Sequence, residues 1–125
     1  MLTIVSSTHL YADERSHDFF EQNIRPILAS RCFRCHGPEQ QKSDLRLDIP
    51  EALRGKGKFG TILVPGNPEE SILYTALSHQ NPKLKMPYQE EPLSTAIVAN
   101  FKKWFESGAV WPPRVDVNTN DNGFI

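Results

Sequence analysis

The chain has 125 residues, 14 basic against 15 acidic side chains, and a formal net charge of -1. That length suits one domain rather than two. The charge balance argues against nucleic acid, which calls for a strongly basic face, and against a basic amphipathic stretch for a membrane surface. No apolar run reaches the roughly 20 residues that span a bilayer.

Ten prolines and seven glycines, spread along the sequence, imply short helices joined by defined loops. Residues 1–15 read as a leader. The Leu10-Tyr11-Ala12 ending before Asp13-Glu14 suits either a signal-peptide remnant without its basic start or a plain leader. Ser16 is placed to cap a first helix, with Phe20, Ile24, Ile27 and Leu28 at helical spacing. Pro26 falls inside that pattern, so the helix is expected to kink there or to restart with Pro26 in its first turn. It then runs into Arg31-Cys32-Phe33-Arg34-Cys35-His36 and stops at Gly37-Pro38. Residues 39–44 form a polar loop, and Leu45-Arg46-Leu47-Asp48 alternates as a short strand or extended segment would. Asp48 is expected to cap a short helix over Pro50 to Leu53, and Gly55, Gly57 and Gly60 mark a loop. Their spacing and context are not those of a phosphate-binding loop.

After the Pro65-Gly66 turn, Asn67 is expected to cap a helix with Pro68 first and Glu69 and Glu70 near its positive end. Ile72, Leu73, Ala76 and Leu77 form its apolar face. Residues 80–92 hold three prolines, no periodicity, and Met86. The last helix has a Ser94 cap, a staple between Leu93 and Val98, a stripe of Ile97, Val98, Phe101, Trp104 and Phe105, and a Gly108 stop. Trp111-Pro112-Pro113 closes a domain spanning 16–113, and residues 114–125 read as a polar tail or linker.

Cys32-Phe33-Arg34-Cys35-His36 is the sharpest feature, and the chain has no other cysteines. Two thiols three residues apart on a helical turn can each add across a haem vinyl group, and the following His36 then lies under the iron. This is the attachment signature of haem c. Two rival readings are a half zinc site, completed by His9, His17 or His79, and a redox disulfide that lacks its usual strand-helix-strand context. Met86 is the methionine other than Met1 and lies between Lys85 and Pro87. The proline restrains its backbone, which suits a thioether presented to the iron from the far side; a core filler is the plainer alternative. His79 is a rival sixth ligand, though its place after a helix also suits the helix dipole. Arg46 is a candidate partner for a haem propionate, against the plainer reading of a solvated arginine. Trp104, Phe105, Phe101, Ile62, Leu63 and Phe20 are candidates for the shell around the haem, or for ordinary core. A core of this size gains from a bulky apolar cofactor.

These motifs together resemble the planctomycete-type cytochrome c domain. The resemblance runs through Phe19-Phe20, Ile24-Arg25-Pro26-Ile27-Leu28, Cys32 to Gly37, Leu45-Arg46-Leu47-Asp48, Gly55 to Gly60, Val64-Pro65-Gly66-Asn67-Pro68, Ser71-Ile72-Leu73, Lys85-Met86-Pro87, Leu93, Trp104 and Gly108 to Pro112. It covers residues 19–112. Tyr88 stands where a second proline is usual and Phe105 where isoleucine is usual; neither is a ligand position. The resemblance implies a mainly α, cytochrome c-like domain wrapped around one haem, with long loops and at most one short β-hairpin. It implies one covalently bound haem c at Cys32 and Cys35, with His36 and Met86 as axial ligands, in a periplasmic or otherwise exported protein. The expected role is an electron carrier between redox partner proteins, without nucleic acid or direct membrane insertion. The alternatives are a haem peroxidase or gas-binding sensor with a labile sixth ligand, and a zinc-binding structural module.

Overall fold

The computed structural model describes residues 14–113, so the expected leader over 1–13 and the tail over 114–125 lie outside the described residues. Helix α1 occupies residues 14–32 and is already helical at residue 14, which places Ser16 inside it rather than at its cap. Phe20, Ile24 and Leu28 recur every fourth residue along one face, and all three are fully buried. The helix is continuous through Pro26, which lies in the first turn of a short α stretch, Arg25–Ile27, flanked by the π-type turns Phe20–Ile24 and Leu28–Cys32. Arg25 N–H bonds to Phe20 O and Phe33 N–H to Leu28 O, each five residues back. Proline lacks an N–H and clashes with the carbonyl four residues before it; a widened turn ahead of it relieves both problems.

Beyond α1 the chain is irregular. A 3₁₀ turn at Lys42–Asp44 holds Ser43 and Asp44 at φ of 57° and 58°. Residues 45–48 pair with no strand; Asp48 caps nothing and instead takes the Arg46 guanidinium. Helix α2 (Pro50–Leu53) follows without a side-chain cap. Strands β1 (Lys56–Gly57) and β2 (Gly60–Thr61) form a minimal antiparallel hairpin, Lys56 opposite Thr61.

Helix α3 (Ile72–Leu77) starts later than expected. Pro68–Glu70 is a 3₁₀ turn, and Asn67 supplies no side-chain cap. Ser71, fully buried, does the work at this junction: its Oγ accepts from Val64 N–H at 2.8 Å and donates to Asn67 O at 2.9 Å. Leu73, Tyr74, Ala76 and Leu77 face the core, and Ile72 is half-buried.

Helix α4 (Thr95–Glu106) matches its local signals at both ends. Ser94 Oγ accepts from Ile97 N–H at 3.2 Å. Gly108 adopts φ of 106°, Gly108 N–H returns to Phe105 O, and Ala109 N–H returns to Trp104 O at 2.8 Å. Those paired bonds are the usual glycine-terminated helix end.

The core joins Phe20, Ile24 and Leu28 of α1 to Phe101, Trp104 and Phe105 of α4, with Leu47, Leu53, Ile62, Leu63, Leu73, Tyr74 and Leu77 continuing it. Ring centroids of Phe20 lie 5.5 Å from Trp104 and 4.8 Å from Trp111, at the tilts aromatic pairs prefer. Trp104 Nε1 donates to Val110 O at 2.8 Å, which satisfies the buried indole and fixes the closing segment. The molecule is a small, mainly helical domain with one short hairpin. Among the described residues, no helix is long and apolar enough to cross a membrane.

Candidate functional site

The end of α1 delivers the cysteine motif. After Cys32 the backbone makes one more turn, in which Cys35 N–H and His36 N–H both donate to Cys32 O, at 3.2 and 2.9 Å. The two thiols and the imidazole therefore leave a single compact turn. Both cysteines are free and half-buried. Burial pushes the Cys32 thiol up to about 11, against the opposing pull of Arg31. A dithiol used for redox exchange needs the reverse, a depressed pKa.

His36 is 8% exposed. Its Nδ1 faces Leu45 O at 3.2 Å. A carbonyl only accepts, so Nδ1 carries the ring proton and Nε2 of the neutral ring holds the lone pair. Burial lowers the His36 pKa, with the Leu45 and Lys42 backbone opposing, and so favours the neutral, ligating form. Among the described residues nothing hydrogen-bonds to Nε2. A buried ring nitrogen left without a partner, with the other nitrogen oriented by a carbonyl, is the arrangement of a metal-ligating histidine. Free paired thiols and this histidine fit a haem c.

The polar loop after the motif is pinned to it. Lys42 N–H donates to Cys35 O at 2.9 Å, Leu47 N–H to His36 O at 2.7 Å, and Gln41 Nε2 to Gly37 O at 2.7 Å. These bonds hold Leu45 where its carbonyl meets His36.

Met86 is half-buried in the loop after α3. Its N–H donates to Ala76 O at 3.1 Å, and its carbonyl accepts from His79 Nε2 at 3.0 Å. The same loop reaches the motif through Glu90. One carboxylate oxygen takes Arg31 Nη2 at 3.2 Å and the other takes Arg34 Nη2 at 3.0 Å. The chain thus ties the methionine loop to the two arginines that flank Cys32.

Three sets of candidate side chains have partners within the chain itself. His79, the rival sixth ligand, has its Nε2 occupied by the Met86 carbonyl. Arg46 grips Asp48 with Nε at 2.9 Å and Nη2 at 2.5 Å, and holds the Asp48 carboxyl below the usual carboxylate range. Phe20, Phe101, Trp104, Phe105, Ile62 and Leu63 belong to the protein's own core cluster. The zinc reading gains no support among the described residues, where no three His, Cys, Asp or Glu side chains converge; His9 lies outside them, and His17 is half-buried on α1. Sequence reasoning missed Glu90 and the Leu45 carbonyl. Neither carries a local signal.

Residues 32–90 match the family model described as Planctomycete cytochrome C, the family that the motifs resemble. The matched span is narrower than the 19–112 over which the motifs were read. It contains both cysteines, His36, Met86 and Glu90. No curated protein and no solved structure matches the chain.

Proposed function

Taking residues 32–90 as planctomycete cytochrome C in sequence, we propose that the chain is a single-haem c-type cytochrome domain that carries one electron at a time between protein partners. The haem supplies reversible one-electron exchange at its iron. Cys32 and Cys35 would hold the haem through two thioether links, and His36 Nε2 and the Met86 thioether would ligate its iron. The observation that carries this reading is His36: a buried imidazole, oriented through Nδ1 by the Leu45 carbonyl, with Nε2 unpartnered among the described residues. With His36 and Met86 both donating to the iron, the chain would leave no open position for a substrate, which favours a carrier over an enzyme. A thioether ligand in place of a second imidazole would raise the potential. Arg46 can meet a propionate only while sharing its guanidinium with Asp48. Attachment takes place after export, since that is where haem c is joined to its thiols.

The test is the chain matured with the haem-attachment machinery and exported. The intact mass is expected to exceed that of the polypeptide by one haem, and the pigment to stay with the protein through acid-acetone extraction. Met86→Ala is expected to keep the covalent haem, lose the sulfur-to-iron band of the oxidised form, and admit carbon monoxide in the reduced form. Colourless exported protein with the bare polypeptide mass sinks the proposal. Wild type that binds carbon monoxide as readily as Met86→Ala shifts the assignment to a sensor or peroxidase.

A further inference from the structure

The loop that carries Met86 is held at its own peptide groups. Met86 N–H is bonded to Ala76 O, one of the last carbonyls of α3, and Met86 C=O accepts from His79 Nε2. With both backbone groups fixed, the direction in which the side chain leaves the backbone is fixed too. His79 itself sits at φ of 62°, the left-handed region that a residue with a Cβ enters at a cost of about 1 kcal/mol. Because a carbonyl only accepts, Nε2 must carry a proton in this contact and cannot at the same time offer a lone pair to a metal.

We propose that His79 is a positioning residue for the sixth ligand: by donating from Nε2 to the Met86 carbonyl, it aims the thioether. The inference rests on the Met86 ligation proposed above. His79 does not touch the iron. It acts through the backbone of residue 86, and its removal leaves the covalent haem and the His36 bond in place.

The experiment compares the haem-attached wild type with Met86→Ala, His79→Gly and His79→Gln. Glycine removes the donor and accepts the left-handed backbone without strain, so the turn at residue 79 is kept. Glutamine keeps an N–H donor at a similar reach. Two readouts are followed besides folding: the sulfur-to-iron band of the oxidised protein and the rate of carbon monoxide binding to the reduced protein. His79→Gly is expected to weaken the band and speed carbon monoxide binding by about two- to tenfold, the range one net hydrogen bond supplies. His79→Gln is expected to restore both toward wild type. If His79→Gly matches wild type while Met86→Ala changes both readouts, ligation by Met86 stands and the role of His79 is overturned. Equal loss in His79→Gly and His79→Gln also overturns it, because donation would then not be what matters. If wild type and Met86→Ala are indistinguishable, the ligation fails and the inference falls with it.

Discussion

Gly37 shows how tightly the cysteine turn is built. A Cβ at this position would lie 2.3 Å from the Phe33 carbonyl oxygen, a backbone atom that cannot swing aside. Gly37→Ala must therefore move either the cysteine turn or the loop that presents Leu45 to His36. The expected outcome is a loss of about 1–3 kcal/mol, the usual cost of overpacking, read as a lower denaturant midpoint of the haem-attached protein with a lower yield of attached haem. An unchanged midpoint and yield would show that the turn relaxes freely. Residue by residue, the sequence revealed what covalent chemistry would dictate: the spacing of Cys32, Cys35 and His36 is the one that two vinyl groups and one iron require in the proposed haem site. It concealed whatever is done by backbone atoms. The acceptor that orients His36 is the Leu45 carbonyl, and any residue could provide a carbonyl. Arg46 shows the intermediate case. Its affinity for a carboxylate was legible, but the carboxylate it grips is that of Asp48, two residues away.

At the scale of elements, legibility follows how local the determining bonds are. Helix α4 was readable at both ends because its cap and its stop lie within one turn of the residues they serve: Ser94 bonds Ile97, and Gly108 turns the chain where the helix closes on Phe105 and Trp104. Ser94→Ala removes one satisfied helix donor, and the expected loss is about 1 kcal/mol, measurable by chemical unfolding. Since Trp104 and Phe105 of the same helix are buried in the core, that loss should appear in the global transition rather than as local fraying. A change confined to fraying at residues 95–97, seen by amide exchange, would show that the cap is uncoupled from the core. Helix α1 was legible in its buried face but not in its π turns, because a hydrogen bond five residues back leaves no distinct side-chain period. Helix α3 was misplaced at its start. The Asn67-Pro68 pair is a helix-start signal, and here it opens a 3₁₀ turn, while the buried hydroxyl of Ser71 governs the junction through its bonds to Val64 and Asn67.

At the scale of the whole molecule, an aromatic core built from the first half of α1, α4 and Trp111 lies beside the cysteine-motif region, built from the end of α1 and two loops. The second region is where the chain has least regular structure. One contact that draws it together joins residues far apart in sequence: Glu90 meets Arg31 and Arg34 across separations of 59 and 56 residues. No local pattern could report such a pair, and for that reason Glu90 was invisible before the fold was known. The side chains are partly exposed, 39% for Glu90, 34% for Arg31 and 71% for Arg34. Water and salt therefore screen the attraction, and the Arg34 arm is screened most. Glu90→Gln in the haem-attached protein is expected to lower stability by no more than about 1 kcal/mol at low salt. Roughly 1 M salt, where screening acts within about 3 Å, should erase most of the difference between variant and wild type. Combining Glu90→Gln with Arg31→Gln should cost less than the sum of the two single changes, because each alone already breaks that arm. Additive losses, insensitive to salt, would mean that the carboxylate and guanidinium act independently. The closure of the methionine loop would then have to come from the short-range bonds of Met86 to Ala76 and His79.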